Sequence, residues 1–167
     1  MGWTGLCLQK GEAMKLVLSA FLLLMCLRSN QSNSWRGITP LRSTCEDVKK
    51  ILKVETCSLP LSDYTVPGFR VMIEFGNDDC GKSSRAWRVP KGTVLSLVIS
   101  PEHNMTVSQL GLDLSKFKKR EGEEIVGMEQ FDNDEEGVSV ETFNGYVMNL
   151  FLSPRKSDES LLCKPAK

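Results

Sequence analysis

The chain has 167 residues, the length of one domain, and its 41% hydrophobic and 25% charged residues are ordinary for a globular protein. Lysine and arginine together number 21, and so do aspartate and glutamate, which gives a formal net charge of zero. A partner bound through its phosphate backbone needs a clustered basic face. The charge balance therefore argues against a nucleic-acid partner.

We expect residues 1–32 to be a secretory signal peptide. The apolar run Leu16–Leu27 has 12 residues, whereas a helix that spans a bilayer needs about 20, and this length is typical of the hydrophobic region of a signal peptide. Met14 and Lys15 supply a short basic start. We therefore expect Met14 to be the true start of translation.

Signal cleavage is expected between residues 29 and 34, so the mature protein is predicted to be one exported domain, 33–167. Removing three basic residues and one acidic residue leaves 18 basic against 20 acidic. Cys26 closes the apolar run, but Met25 stands where a lipidation signal has a small residue, so lipidation is not favoured. No transmembrane helix is expected in the mature form, and the predicted location is secreted or periplasmic.

Four cysteines remain after cleavage, and an even number in an exported domain indicates two disulfides. We predict a Cys57–Cys80 bridge, because Cys57 follows the predicted helix and Cys80 follows a strand that returns towards it. Cys45 with Cys163 would be the second bridge, and a free, buried Cys45 is the alternative. A zinc site is less favoured, since no CxxC pair is present and the only histidine is His103.

One helix is predicted, after an extended lead-in over residues 33–42. Ser43 and Glu46 have the spacing of a capping box. The apolar residues that follow share one face at helical spacing: Val48, Ile51 and Leu52. These signals predict a helix from Thr44 to about Lys53.

Five strands are predicted by alternation or by runs of branched apolar residues. They are residues 69–75, 94–100, 125–131, 137–143 and 146–152. The segment with Pro60 and Pro67 is expected to be a loop, and residues 105–120 an irregular or strand-like stretch packed on the sheet. The predicted fold class is α+β, with one N-terminal helix packed on an antiparallel meander of about five strands.

The last two predicted strands flank Asn144-Gly145, the dipeptide most typical of a two-residue hairpin turn. Such a turn pairs Phe143 with Tyr146 and Glu141 with Met148. The apolar residues of the two strands should then share the core-facing side: Val138, Val140, Val147 and Phe151. Cys163 is expected to hold the polar tail in place.

Three acidic residues copy the start of a calcium-binding loop. Asp132, Asp134 and Glu136 stand at its first, third and fifth positions, followed by Gly137. The twelfth position should hold a bidentate glutamate, but it is Phe143. An acidic, solvated hairpin loop is therefore the favoured interpretation, and neither a metal nor a cofactor is expected.

No residue set has the pattern of a catalytic site. Ser115 and Lys118 match a serine–lysine spacing, but its companion motifs are missing. His103 has no acid or nucleophile near it in sequence, and nothing places two carboxylates across a cleft. The basic run at residues 116–120 is followed at once by glutamates, which cancel most of its field.

Trp35 and Trp87 are the candidate binding residues, because an exported domain with few aromatic residues can use them on a binding face. Packing in the core or in the lead-in is the favoured alternative for both.

The pattern Trp35-Arg-Gly-Ile-Thr-Pro-Leu-Arg-Ser-Thr, with Asp47-Val48, Trp87-Arg-Val-Pro90 and Leu112–Phe117 downstream, resembles a group of uncharacterised exported proteins encoded in bacterial genomes. The resemblance spans most of residues 35–163 and implies a bacterial, exported protein. More distantly, the short capped helix followed by antiparallel strands is similar to the BamE-like and β-lactamase-inhibitor-like domains. Those are interaction modules built as helices on an antiparallel sheet.

Together these features predict a noncatalytic binding or scaffolding domain of the cell envelope, with an envelope protein or polymer as its partner. An exported hydrolase that uses carboxylates is the alternative function.

Overall fold

The computed structural model describes residues 33–76, 80, 86–120 and 125–163. The predicted signal peptide, with its apolar run Leu16–Leu27, lies outside these residues. Within them, no helix is long and apolar enough to cross a membrane.

The described residues form one short α-helix and one seven-stranded sheet. The elements are α1 (Cys45–Leu52), β1 (Leu61–Val66), β2 (Phe69–Phe75), β3 (Val94–Pro101), β4 (Lys118–Lys119), β5 (Met128–Asn133), β6 (Val138–Phe143) and β7 (Tyr146–Leu152), with 3₁₀ helices at Val107–Leu110, Leu114–Lys116 and Lys156–Leu161. The strand order is β1-β2-β3-β7-β6-β5-β4, and all pairs are antiparallel. The fold is thus α+β with few helices, as predicted, but the sheet joins two meanders through β3 and β7 instead of forming a single meander of five strands.

Two strands escaped sequence prediction for local reasons. β1 lies between Pro60 and Pro67, which suggested a loop, but an edge strand tolerates proline at its ends. β4 has only two residues and forms the opposite edge. The third predicted strand begins at Met128 instead of residue 125, because Gly127 adopts a left-handed φ of 85° in the turn before it.

The N-cap of helix α1 lies one residue later in the chain than predicted. Thr44 is the N-cap, its hydroxyl accepts from the Asp47 amide, and the Asp47 carboxylate accepts from the Thr44 amide at 2.8 Å. Ser43 is buried instead, and its hydroxyl accepts from the Thr39 amide at 3.0 Å. The box with Glu46 is therefore wrong by one residue, although the predicted apolar face is present, with Val48 fully buried.

The lead-in is folded back and not extended. Trp35 and Ile38 exchange two backbone hydrogen bonds of 3.0 and 2.9 Å around Arg36 and Gly37, which both have positive φ. This tight turn places Ile38 in the core, where it is fully buried. The first described residues thus belong to the packed domain.

One face of the sheet forms the core. The buried apolar strand residues are Val66, Val71, Ile73, Phe75, Val94, Leu97, Ile99, Val138, Val140, Val147, Leu150 and Leu152. Helix α1 and the irregular stretch with Leu110, Leu112, Leu114 and Phe117 pack against them. Each buried aliphatic or aromatic side chain contributes about 1.5–3 kcal/mol to folding, so this layer supplies most of the driving force.

The β6–β7 hairpin has the predicted turn but a shifted register. Asn144 and Gly145 have φ of 49° and 81°, and Phe143 pairs with Tyr146. A bulge follows, so that Glu141 pairs with Asn149 and not with Met148. Because the bulge changes the alternation of β7, Leu150 and Leu152 join Val147 in the core, while Phe151 is only half-buried.

The predicted pairing of the cysteines is wrong. Cys45 bonds to Cys57 with the Cα atoms 6.1 Å apart, and Cys80 bonds to Cys163 with the Cα atoms 5.3 Å apart. Lys53 ends α1 in a left-handed conformation, and the chain turns back so that Cys57 reaches the first turn of the helix. Both disulfides indicate an oxidising, extracytoplasmic environment.

Candidate functional site

A cleft of about 560 Å³ lies where the turn between β5 and β6 faces the C-terminal segment. One wall is formed by residues 132–134 and 137–139, and the other by residues 153–156, Glu159 and Leu162. Arg120 and Trp87 complete the lining. This volume lies within the range of about 300–1,000 Å³ that is typical of ligand pockets. The cleft is therefore the candidate functional site.

Gly137 sets how closely the two walls approach. Its φ is +65°, and an added Cβ would overlap the carbonyl oxygens of Ser153 and Pro154. The carbonyl oxygen of Gly137 accepts from the Ser153 amide at 2.8 Å and from the Ser153 hydroxyl at 3.2 Å. Asn33 is buried and donates its side-chain amide to the Ser153 carbonyl at 3.0 Å. The backbone at the base of the cleft is thus already hydrogen-bonded within the protein.

The C-terminal wall is held by one buried carboxylate. Asp158 accepts from the Arg155 amide at 3.2 Å and forms an ion pair with Arg42 at 2.8 Å. The Asp158 side chain is 11% exposed, whereas that of Arg42 is 61% exposed. This contact joins the lead-in to the last 3₁₀ helix and fixes the position of residues 155–161.

The three cations that line the cleft are paired with carboxylates. Arg120 contacts Asp132 at 2.7 Å, and Asp132 also accepts from the hydroxyl of Ser139. Arg155 contacts Glu136 at 3.2 Å. Paired charges of this kind hold side chains in place more than they create a net field.

Lys156 provides the third pair, with Glu135 at 2.6 Å. The hydrogen bond from Lys156 to Glu135 raises the pKa of the lysine, so Lys156 stays a cation at neutral pH. The Nε of Arg155 is buried and has no hydrogen-bond partner among the described atoms.

The calcium-like residues do not converge on one point. Asp132 lies on β5 and is held by Arg120, whereas Glu136 lies in the β5–β6 turn and is held by Arg155. Within the described residues, no group of three or more His, Cys, Asp or Glu side chains is arranged to hold a metal ion. Asp132, Asp134 and Glu136 are instead parts of the cleft and its ion pairs.

Trp87 is positioned by the end of the chain. Its backbone pairs with Leu162, the Arg88 amide donates to the Leu161 carbonyl at 2.7 Å, and the Cys163 amide donates to the Ala86 carbonyl at 2.8 Å. The Cys80–Cys163 disulfide anchors the same segment, as expected for the tail. Trp87 is half-buried and also lines a second cavity of about 370 Å³.

Comparisons with protein-family models, with curated proteins and with solved structures find no match. The function is therefore inferred from the chemistry of the cleft.

Trp35 is not part of the cleft. Its ring packs edge-to-face on Phe69 with the centroids 5.6 Å apart, and the Arg36 guanidinium lies 4.6 Å from the Trp35 centroid. Arg36 also donates to the Pro67 carbonyl at 3.2 Å. Trp35 thus ties the lead-in to the β1–β2 hairpin, and of the two candidate tryptophans only Trp87 lines the cleft.

The serine–lysine pair does not form a catalytic arrangement. The Ser115 hydroxyl donates to the Asp113 carboxylate at 2.7 Å, and this bond together with the Ser115 amide lowers the pKa of Asp113. Lys118 lies on the edge strand β4, and Ser115 lies in the 3₁₀ helix before it. Asp113 is therefore the N-cap of this 3₁₀ helix, and the Ser115 hydroxyl adds a second hydrogen bond to its carboxylate.

Two cations of the basic run are paired with carboxylates of a neighbouring strand. Lys119 contacts Glu129 at 2.8 Å, and Arg120 contacts Asp132. These carboxylates lie on β5, whereas the cancellation expected from the glutamates after residue 120 falls outside the described residues. His103 is exposed in the loop after β3.

Sequence reasoning missed one apolar surface and one wall of the cleft. The exposed apolar residues at the far end of β6 from Gly137 are Ile125, Val126, Met128, Phe143, Tyr146 and Met148. Val126 is 92% exposed, because residues 125–128 form a turn where a strand was predicted. The C-terminal wall had no signal in the sequence other than Cys163, because its position depends on pairing with residues 86–88.

Proposed function

We propose that this chain is an extracytoplasmic, noncatalytic binding domain that holds its ligand in the cleft beside Trp87. The observation that carries the proposal is a half-buried tryptophan, Trp87, that lines two cavities, with ion-paired polar groups in the lining of the larger one. Tryptophan is enriched among residues that dominate binding energies, because it offers a large, rigid, amphipathic surface.

The pairing of charges supports binding more than chemistry. Arg120, Arg155 and Lys156 each contact a carboxylate, so the lining is held in a fixed arrangement before a ligand arrives. A lining that needs no reordering loses less conformational entropy on binding. The two disulfides and the exported-protein resemblance support a place in the cell envelope.

An exported hydrolase remains the second candidate, because Asp132, Asp134 and Glu159 all line the cleft. A glycosidase of the common type needs one protonated carboxyl group and a second carboxylate across the bond that is cleaved. Asp132 instead accepts hydrogen bonds from Arg120 and from Ser139, which hold it in the wall of the cleft. The noncatalytic function is therefore preferred.

Sedimentation with cell envelopes of the source organism tests this proposal. We expect the full-length protein to pellet with the envelopes and Trp87→Ala to remain in the supernatant, because Trp87 lines both cavities. Trp35→Phe is the matched control, since Trp35 packs on Phe69 and does not line the cleft. Circular dichroism checks that both variants are folded.

Equal retention of the wild type and Trp87→Ala would contradict the cleft as the binding site. Release of reducing ends or amines from the envelopes during incubation, abolished by Asp132→Asn, would favour the hydrolase.

A further inference from the structure

The cleft has no surplus of cations. Three cations line it, namely Arg120, Arg155 and Lys156, and three carboxylates line it as well. Glu135 and Glu136, the partners of Lys156 and Arg155, add negative charge just outside the lining. An anionic ligand is recognised by a surplus of cations, so the charge pattern argues against an anionic ligand.

The groups of the cleft that can still form hydrogen bonds with a ligand are on side chains. The Ser153 amide donates to the Gly137 carbonyl, and the Gly137 amide donates to the Asp134 carbonyl, so this part of the cleft offers no free strand edge for an extended peptide. Ion-paired carboxylates and guanidinium groups keep further acceptor and donor positions, and Asn133 and Ser139 stand beside them in the lining. A ligand that both donates and accepts at many closely spaced points suits this surface.

Trp87 lines both cavities, and its indole is a flat, largely apolar surface. A pyranose ring has a face of C–H groups and an edge of hydroxyl groups, so its face can stack on an indole while its edge reaches the polar walls. A ligand longer than the cavity of about 560 Å³ would pass over Trp87 into the cavity of about 370 Å³. Because Trp87 lines both cavities, a chain of sugars fits this site better than a single compact molecule does.

We infer that the cleft binds a neutral oligosaccharide, with one sugar ring stacked on Trp87 and the chain crossing from the larger cavity into the smaller one. This inference rests on the proposed binding function and specifies its ligand as an envelope polysaccharide.

Calorimetric titration of the full chain with a ligand panel tests it. The neutral sugars are tri-N-acetylglucosamine, cellotriose and maltotriose, and the comparison ligands are trigalacturonate and a capped tetra-alanine peptide. We expect at least one neutral trisaccharide to bind and both comparison ligands not to. Because the recognised ligand has no charge, its dissociation constant should change less than about twofold when the ionic strength rises from about 0.05 to 0.5 M.

Two variants locate the binding. Trp87→Ala should weaken binding by about tenfold or more, as expected for a central aromatic contact. Glu159→Ala changes an exposed residue of the cleft wall and should weaken binding a few-fold without affecting the fold. Glu46→Ala, an exposed glutamate on α1, is the matched control and should leave binding unchanged.

The other outcomes separate the ligand class from the site. Salt-sensitive binding of trigalacturonate alone, or binding of the peptide alone, that is lost in Trp87→Ala would overturn the neutral sugar and keep the proposed function. Sugar binding that is unchanged in both Trp87→Ala and Glu159→Ala would overturn the cleft as the site. Absence of binding by all three neutral sugars would overturn the inference.

Discussion

Two halves of the sheet are stabilised in different ways. The helix half consists of α1 with β1–β3, and its disulfide joins cysteines 12 residues apart. The cleft half consists of β4–β7 with residues 86–90 and 153–163, and its disulfide joins cysteines 83 residues apart. The helix half is thus closed by contacts that are local in sequence, whereas the cleft needs the end of the chain to return to residues 86–88. Stability and binding should therefore respond differently to changes in the two halves.

The largest effect is expected from removing the long-range disulfide. In the chain-entropy model, Cys80→Ser with Cys163→Ser should lower the free energy of unfolding by about 4.5 kcal/mol, because the bridge closes a loop of 83 residues. Urea denaturation measures this loss. The same variant should lose retention on envelopes, since the tail forms one wall of the cleft. Full retention by the double variant would contradict the dependence of the cleft on this bridge.

Removing the local disulfide should have a smaller effect on stability and none on binding. Cys45→Ser with Cys57→Ser opens a loop of only 12 residues, for which the same model gives about 3 kcal/mol. Urea denaturation and envelope retention are measured side by side with the previous variant. A greater loss of binding here than in the Cys80 and Cys163 variant would reverse the comparison.

The Asn144-Gly145 turn belongs to the cleft half but lies away from the cleft itself. Asn144 has φ of 49°, and a β-branched residue resists this conformation, so Asn144→Val should cost about 1–2 kcal/mol. Asn144→Gly is the control and should be tolerated, because glycine accepts positive φ. Denaturant midpoints check both, and an unchanged midpoint in Asn144→Val would show that the turn does not need this conformation.

The features that the sequence predicted are local, and those that it failed to predict depend on contacts distant in sequence. Local patterns located α1, β2, β3 and the Asn144-Gly145 turn, because capping, alternation and turn preferences act over a few residues. The disulfide pairing failed because it depends on where Lys53 turns the chain and on the return of Cys163 to Ala86. The register of β7 failed at its bulge, which no residue type marks.

The candidate site was found only in part for a similar reason. Trp87 and the acidic loop were singled out by residue type, but their meeting in one cleft depends on tertiary structure. The loop looked like a calcium site because spacing alone cannot show that Arg120 and Arg155 hold its carboxylates.

The smallest expected effect is a change in acid stability in the helix half. Hydrogen bonds from Arg70 lower the pKa of Asp63 below its ordinary value. A lowered folded-state pKa gives stability that is present above the unfolded pKa of about 3.9 and is lost as the pH falls through the folded value. Asp63→Asn should therefore reduce stability at pH 7 slightly and flatten its loss below about pH 4. Acid titration followed by circular dichroism checks this, and an unchanged profile would show that the pair contributes nothing.

The most direct test of the Trp87 cleft as the binding site is an NMR titration of the ¹⁵N-labelled full chain with solubilised envelope fragments. Tryptophan-to-phenylalanine variants assign the indole N–H signals of Trp35 and Trp87. We predict that the Trp87 signal shifts or broadens as fragments are added, while the Trp35 signal stays in place. Binding that moves the Trp35 signal and leaves Trp87 unchanged would contradict the cleft as the functional site.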